Sequence, residues 1–225
     1  MTDAFRREEQ AYRGMRIGLF GGSFNPAHEG HAHVAETALK QLGLKKVWWL
    51  VTPQNPLKDA RETAPLAARI ASAKKFAHSR AMVVSDIESR WGTQFSYDLI
   101  RKLRAHYPGV RFVWILGTDN LINFHRWRRW KDLVATLPVA FVTRPGAMAR
   151  ARFSVMARRF AGARRMNAKG ALAFAKAPAW TILSGPAGPA FFNGIARESL
   201  ARTLIALWLL RLAAAARTLL TERTV

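Results

Sequence analysis

The chain has 225 residues, of which 50% are hydrophobic, and this length suits one α/β domain with at most a modest appendage. It contains no cysteine, which excludes disulfides, thiolate zinc sites and a thiolate nucleophile, and which fits a cytoplasmic protein. Lys and Arg outnumber Asp and Glu by 36 to 14, and the basic residues crowd the segment from Arg126 to Lys169. The net charge of +22 is explained equally well by a solvated basic face and by polyphosphate ligands or weak, nonspecific contact with RNA, and no nucleic-acid-binding motif accompanies it.

The first 14 residues are charged and lack the apolar core of a signal peptide, so we expect a disordered leader and no export. After it, short apolar runs alternate with segments of helical spacing. The predicted strands are MRIGLF, KKVWWLVTP, MVVSD, RFVWILGTD and PVAFVTRPG. The predicted helices between them are HAHVAETALKQLG, PLAARIASAKKFAH, SYDLIRKLRAHYP and RWKDLVATLP. This alternation predicts an α/β domain with a doubly wound parallel sheet over residues 15–190.

Polar or glycine-rich segments follow four of the predicted strands. In chain order they read GGSFNPAHEGH, TPQNPLK, GTD and TRPG. Ligands of doubly wound sheets bind beyond the carboxyl ends of the strands, where such segments meet. We therefore expect one binding site assembled from these four loops.

The first of these loops has the residue types of an anion site. Gly21 and Gly22 let the backbone approach a ligand and adopt positive φ, and the amides at the start of the next helix can bind a phosphate. His28 and His31 lie three residues apart across Gly30, so both imidazoles can project toward one phosphate. The loop has no Gly-Lys-Ser/Thr and no GxGxxG, which excludes a P-loop and the dinucleotide fingerprint.

The stretch GGSFNPAHEGH resembles the signature of the nucleotidylyltransferase superfamily, a Gly-Ser/Thr-Phe-Asp-Pro turn followed by His-x-Gly-His. Four later segments are similar to the successive motifs of bacterial nicotinate-nucleotide adenylyltransferases: WWLVTPQNPLK, SDIESRWGTQFSYDLIRKL, FVWILGTDNLINFHRWRRW and VTRPG. The resemblance covers roughly residues 15–146 and continues weakly to about residue 186. It implies a Rossmann-like nucleotidylyltransferase fold and transfer of AMP from ATP, with Mg²⁺, to nicotinate mononucleotide.

The resemblance also implies residue roles. The expected ATP site comprises Gly21, Gly22, Ser23, Phe24, His28, Gly30, His31, Gly117 and Asp119. The expected contacts with the acceptor nucleotide come from Asn25, Lys58, Ser96, Trp127 and Arg144. We expect His28 and His31 at the α-phosphate and Lys58 at a substrate phosphate. Asp119 would lie near the ribose, while Trp127 and the Ser96 loop would surround the pyridine ring.

Several of these residues also have purely structural interpretations. Trp127 and Trp130 fit the packing stripe of one helix, and Lys58 fits an ordinary solvated lysine. Glu88 and Arg90 match the family's Glu-x-Arg, for which an ion pair is as good an explanation as a catalytic role. Two other functions stay open: a sister adenylyltransferase such as the phosphopantetheine enzyme, and a catalytically impaired nucleotide- or RNA-binding protein.

Three segments depart from the family pattern. Asn25 stands where the family usually has Asp, and Phe-Ser-Tyr-Asp-Leu at residues 95–99 replaces Tyr-Thr-x-Asp-Thr. The family's Ser-Ser-Thr-x-x-Arg clamp for the ATP phosphates is missing, because residues 191–197 read FFNGIAR. Codons for this peptide exist whose next reading frame encodes Ser-Ser-Thr-Ala-Leu-Arg, so we interpret residues 191–225 as an atypical helical tail that a frameshift would explain.

If the tail is genuine, it reads as a terminal helix rich in Ala, Leu and Arg. Its arginines interrupt it too often for a transmembrane span, which needs about 20 mostly apolar residues. Three roles are open to it: it could cover the domain, form a homo-oligomer contact or lie on a membrane surface.

Overall fold

A computed structural model of the chain describes residues 10–54, 63–143, 151–166 and 170–184. Lys58, Arg144 and the tail at residues 191–225 lie outside the described residues. So does most of the predicted leader. Within that leader, however, Tyr12 packs edge-on against Trp48 with the ring centroids 5.2 Å apart, so the structure packs the chain against the sheet before Met15.

Six parallel strands form one sheet in the order β3-β2-β1-β4-β5-β6. Their bounds are β1 Arg16–Gly22, β2 Lys46–Val51, β3 Met82–Ser85, β4 Arg111–Gly117, β5 Val139–Val142 and β6 Trp180–Leu183. The five predicted strands are confirmed, and the doubly wound parallel sheet with them. The sixth strand was not predicted, because its four residues follow an arginine-rich crossover without a clear helical pattern.

Helices cover both faces of the sheet. Their bounds are α1 Glu29–Gln41, α2 Leu66–Phe76, α3 Ile87–Arg90, α4 Ser96–His106, α5 Thr118–Asn123, α6 Trp130–Thr136 and α7 Val155–Arg159. The four predicted helices correspond to α1, α2, α4 and α6, and Gly43 ends α1 with a φ of +57° as a C-terminal glycine does. None of the described helices is long and apolar enough to cross a membrane.

Two hydrophobic cores, one on each face, explain why the strands are continuously apolar. In β2, Trp48 and Leu50 enter one core while Val47, Trp49 and Val51 enter the other. Side chains of a strand alternate between faces, and a sheet covered on both faces needs apolar residues at every position. The continuous apolar run KVWWLV therefore indicates a strand that is buried on both faces, not an amphipathic strand.

The strand order places a topological switch point between β1 and β4. The chain runs from β1 to β2 and β3 on one side, and from β4 to β5 and β6 on the other. Gly22 pairs with Val51 and Gly117 with Val142, so the carboxyl ends of the four central strands lie along one edge. We call this edge, with the loops that leave it, the carboxyl edge. A crevice at such a switch point is where open α/β sheets bind ligands.

Candidate active site

The two histidines of the β1–α1 loop cap helix α1 with their own side chains. His28 is the N-cap residue, and its Nδ1 accepts a hydrogen bond from the Gly30 amide at 3.1 Å. The His28 amide donates in turn to Nδ1 of His31 at 3.2 Å. This reciprocal pattern is a capping box, which is normally built from Ser or Thr and Glu.

The cap fixes the tautomer of both rings. An Nδ1 atom that accepts a backbone N–H bond carries no proton, so the proton of the neutral imidazole is on Nε2. Each ring therefore presents an Nε2–H donor, and the ring centroids lie only 3.9 Å apart. The expected anion site changes accordingly: the amides of His28 and Gly30 are used by the cap, which leaves the imidazoles as the candidate donors.

Aromatic packing fixes the direction of the His31 ring. Phe24 meets it edge-on at 5.0 Å between centroids, and Phe24 is itself stacked on Trp49 at 5.1 Å. Phe24 is 2% exposed and belongs to the same core as Phe20 and Trp49. The histidine is thus held against a rigid apolar wall rather than on a solvated loop.

The expectation of positive φ at Gly21 and Gly22 is wrong. Both residues belong to β1, and the residue of this loop with positive φ is Phe24, at +47°. The glycines are needed for space instead, since a Cβ on Gly21 would lie 3.0 Å from Trp114 and one on Gly22 would lie 3.1 Å from Phe24. The left-handed backbone conformation is therefore adopted by Phe24, a bulky buried residue. Backbone strain of this kind is concentrated at functional loops.

Arg69 of helix α2 joins the loops at the carboxyl edge. The side chain is 2% exposed, and its guanidinium donates to four backbone carbonyls: Ser23 at 2.8 Å, Thr52 at 2.7 Å, Pro53 at 2.6 Å and Ala64 at 2.8 Å. Burial lowers the pKa of Arg69 from its usual value. Three separate segments, after β1, after β2 and before α2, are therefore bound to one planar group.

Two further contacts hold the β1–α1 loop to α2. Oδ1 of Asn25 accepts a hydrogen bond from the Ala64 amide at 3.2 Å, and the Ala27 amide donates to Oγ of Ser72 at 3.1 Å. An Asp at position 25 would offer the same acceptor atom. The departure of Asn25 from the family pattern therefore preserves this contact of the turn.

Glu88 is a buried carboxyl group beside the end of β2. It is 4% exposed, and Oγ1 of Thr52 donates to its Oε1 at 3.4 Å. Burial raises the pKa of Glu88 to about 7, and the Thr52 hydrogen bond opposes the shift. The expected ion pair with Arg90 is not what the structure shows, because Arg90 Nε pairs with Asp86 at 2.9 Å.

The Trp127 loop and the Ser96 segment are brought together by cation–π contacts. The guanidinium of Arg128 lies 4.5 Å from the Phe95 ring centroid, and that of Arg129 lies 4.2 Å from the Tyr97 ring centroid. Ser96, the first residue of α4, lies between the two aromatic residues. The two segments predicted to surround a pyridine ring are thus neighbours.

Trp127 and Trp130 differ in their surroundings. Trp127 is half-buried, and its ring lies 5.1 Å from that of Phe124. Trp130 packs edge-on against both Phe124 and Phe160, which supports the structural interpretation for it. Trp127 thus combines core packing with an accessible surface.

Gly117 and Asp119 lie at the other side of the switch point. Gly117 is the buried last residue of β4, and Asp119 is exposed in the first turn of α5. The histidines and Asp119 therefore flank the crevice from β1 and β4. No group of three or more His, Cys, Asp or Glu in the described ranges is arranged to hold a metal ion.

Arg69 and Glu88 show what sequence reasoning missed. Arg69 lies in LAARIASAKKF, where an arginine on an amphipathic helix looks like a solvated residue. The Glu-x-Arg motif predicts an ion pair or a catalytic role for Glu88, but it does not predict burial of the carboxyl group. The sequence around Arg69 or Glu88 does not indicate that the side chain is buried, because the residues that bury it are distant along the chain.

Comparisons with known proteins find similar sequences over most of the domain. Residues 19–185 match the cytidylyltransferase-like family model. A protein of Caulobacter sp. (strain K31), named a probable nicotinate-nucleotide adenylyltransferase, is 58% identical over 173 residues, which are 76% of this chain and 92% of the relative. One from Rhizobium meliloti (strain 1021), with the same name, is 51% identical over the same shares.

A solved structure shares the fold. It is the Plasmodium falciparum nicotinic acid mononucleotide adenylyltransferase complexed with NaAD, with a TM-score of 0.56, 16% identity and coverage of 77% of each chain. At that identity the likeness concerns the arrangement of strands and helices. The Rossmann-like nucleotidylyltransferase architecture expected from the sequence is confirmed.

Replacing Arg69 by Met should lower the free energy of unfolding by about 3 kcal/mol, because four carbonyls lose a buried donor. Arg69→Lys should recover only part of this loss, since one ammonium cannot replace the planar fork. Urea unfolding of both variants measures the effect. Lys74→Met, at an exposed position of the same helix, is the control and should stay within about 0.5 kcal/mol of wild type. Wild-type stability of Arg69→Met would contradict the assigned role.

Glu88→Gln should change the pH dependence of stability. The folded pKa of about 7 lies above the ordinary glutamate value of 4.5, so the free energy of unfolding of the wild type falls as the pH rises between these values, by about 3 kcal/mol in total. Glu88→Gln should lack this loss, so its free energy of unfolding relative to that of the wild type should increase from pH 5 to pH 8. Urea unfolding at each pH measures the difference. Thr52→Val should move the midpoint to higher pH, because the opposing hydrogen bond is removed. A pH-independent difference between wild type and Glu88→Gln would refute the burial argument.

Proposed function

We propose that this chain, which belongs to the nicotinate-nucleotide adenylyltransferase family, transfers the adenylyl group of ATP to nicotinate mononucleotide in NAD biosynthesis. The products are nicotinate adenine dinucleotide and pyrophosphate. The observation that carries the mechanism is the histidine capping box at the switch point between β1 and β4. We place the activity in the cytoplasm.

The reaction is an in-line displacement at the α-phosphorus of ATP. An oxygen of the nicotinate mononucleotide phosphate forms the new P–O bond while the bond to pyrophosphate breaks. A phosphate monoester has its second pKa near 6, so it is largely a dianion at neutral pH and attacks without a strong general base. Catalysis then consists of positioning the two nucleotides and stabilising the charge that develops on the α-phosphate.

His28 and His31 supply that stabilisation in our proposal. Their Nε2–H groups donate to oxygens of the α-phosphate, and the cap prevents either ring from switching to the other tautomer without losing a backbone hydrogen bond. The wall formed by Phe24 and Trp49 holds the His31 ring in place before ATP arrives. Preorganised donors of this kind need no reorganisation during the reaction.

The remaining roles follow the family pattern and are part of the proposal. Asp119 binds the nucleotide ribose, and Trp127 with the Ser96 segment holds the pyridine ring, for which an aromatic face is suited. Lys58 and Arg144 bind substrate phosphates, with Asn25 supporting the turn. Mg²⁺ enters bound to the phosphate oxygens of ATP, as in other phosphoryl transfers, and belongs to the substrate complex.

A variant that separates capping from catalysis is His28→Asn. Asn is among the best N-cap residues, so the helix cap and the stability should be retained within about 1 kcal/mol. The imidazole Nε2–H is lost, and kcat should fall about 100-fold or more, as it does when an oxyanion donor is removed. The measurement is pyrophosphate release at saturating ATP, with thermal unfolding of the same sample.

His31→Ala should abolish turnover as well, with a partial loss of the cap. His78→Gln is the matched control, since His78 lies outside the predicted site and its side chain is 54% exposed. Turnover at the wild-type level in His28→Asn or His31→Ala would remove these residues from the mechanism.

The substrate is tested by measuring pyrophosphate release with ATP, Mg²⁺ and one acceptor per reaction: nicotinate mononucleotide, nicotinamide mononucleotide or phosphopantetheine. We expect release with the nicotinate compound. Release only with another acceptor would overturn the substrate. If every reaction is silent, a chimaera carrying Ser-Ser-Thr-Ala-Leu-Arg from position 191 tests the tail: recovered turnover would place the defect in the missing clamp, and continued silence would overturn the proposed function.

A further inference from the structure

The edge of the sheet opposite the carboxyl edge carries a cluster of cations around an exposed aromatic ring. We call this cluster the amino-edge patch, and its members are Arg16, Lys40, Lys45, Arg111 and Phe174. Arg16 and Arg111 are the first residues of β1 and β4, and Lys45 precedes β2 and donates its amide to the Arg16 carbonyl at 2.8 Å. Lys46 pairs with Ile17 and therefore leaves the sheet on the other face. Lys40 belongs to the last turn of α1, which ends at the same edge.

Phe174 is the centre of this patch. The guanidinium groups of Arg111 and Arg16 lie 4.6 Å and 5.6 Å from its ring centroid. The ring is nevertheless 56% exposed, whereas its neighbours Leu172 and Ala173 are buried in the core and anchor the turn. Phe174 thus presents an aromatic surface on a fixed turn, beside two guanidinium groups.

The two arginines are an unfavourable pair by themselves. Arg16 and Arg111 are register partners on adjacent parallel strands, so their side chains leave the sheet on the same side. Like charges opposite each other on neighbouring strands are destabilising. An anionic ligand would relieve that repulsion.

Acidic side chains of the described residues are placed elsewhere. Those at or near the carboxyl edge, in strand ends or first helical turns, are Glu29, Asp86, Glu88, Asp98, Asp119 and Asp132. Glu36 lies within α1. The carboxyl edge thus has mixed charge, while the amino-edge patch is wholly positive.

We propose that the amino-edge patch binds single-stranded nucleic acid, with phosphates on Arg16, Arg111 and the lysines and a base stacked on Phe174. Lys45, Arg16 and Arg111 stand side by side at the starts of three adjacent strands, over a width of about 10 Å, which suits a chain of phosphates rather than one isolated anion. Basic grooves with an aromatic stacking platform are how proteins bind single strands without sequence preference. This binding goes beyond adenylyl transfer, because the patch lies at the edge away from His28 and His31.

The test is fluorescence anisotropy of a labelled 20-nucleotide oligo(dT), titrated with the full chain at several KCl concentrations between 50 and 200 mM. The double variant Arg16→Gln with Arg111→Gln should weaken binding about tenfold or more at 100 mM. Its slope of log K against log[KCl] should shrink by about 1.4, because each lost phosphate contact on a single strand contributes about 0.7. The matched control is Arg152→Gln with Arg158→Gln, which removes the same charge from exposed positions in or beside α7.

Phe174→Ala separates stacking from charge. It should weaken oligo(dT) binding about fivefold or more, and leave the binding of inorganic polyphosphate, which has no bases, unchanged. Pyrophosphate release should equal the wild-type rate in every patch variant, which keeps this test independent of the proposed function. The inference is overturned if oligo(dT) does not bind at 50 mM KCl, if the control pair weakens binding as much as the patch pair, if polyglutamate competes as well as oligo(dT), or if Phe174→Ala has no effect.

Discussion

One buried guanidinium determines how the loops at the carboxyl edge stand to one another. Arg69 donates to carbonyls after β1, after β2 and before α2, and these segments have no strand ladder to position them. A charge in such a buried place is tolerated because carbonyl dipoles surround it, and no carboxylate is needed. The β1–α1 loop, which carries the histidines, is therefore positioned in part by Arg69 on helix α2.

The capping box also determines the tautomers of the two histidines in that loop. In most helices the cap satisfies orphan amides and has no further consequence. Here the cap acceptors are the same imidazoles that face the switch point, so satisfying the helix start also selects the tautomer of each ring. In the proposed mechanism, the helix cap and the reaction therefore require the same tautomer of His28 and His31. A substitution that preserves only one of the two functions can separate them.

The sequence allowed the sheet and the histidine site to be predicted for different reasons. Strands buried on both faces appear as unbroken apolar runs, so KVWWLV and RFVWILG were identifiable without any partner. His28 and His31 were identifiable because a strand, a turn and a helix start fix their surroundings within a few residues.

Arg69, Glu88 and the φ of Phe24 could not be predicted in the same way. Their environments come from segments that are distant in sequence, and a buried arginine on a helix has the same local pattern as a solvated one. Positive φ is usually expected at glycine. Here Gly21 is needed because Trp114 leaves no room for a Cβ atom, and the positive φ occurs at Phe24 instead.

Net charge is a poor guide to the nucleotide site in this protein. The carboxyl edge, where ATP binds in the proposed mechanism, carries Asp119 and an ion pair between Arg129 and Asp132, so its charge is mixed and does little to attract a polyphosphate. In that mechanism, phosphate binding depends instead on a few oriented donors, with the imidazoles of the cap foremost. Cations without acidic neighbours are found elsewhere, around Phe174 and in residues 151–166, which contain five arginines and no Asp or Glu. The proposed chemistry of adenylyl transfer therefore depends on geometry rather than on the net charge of +22.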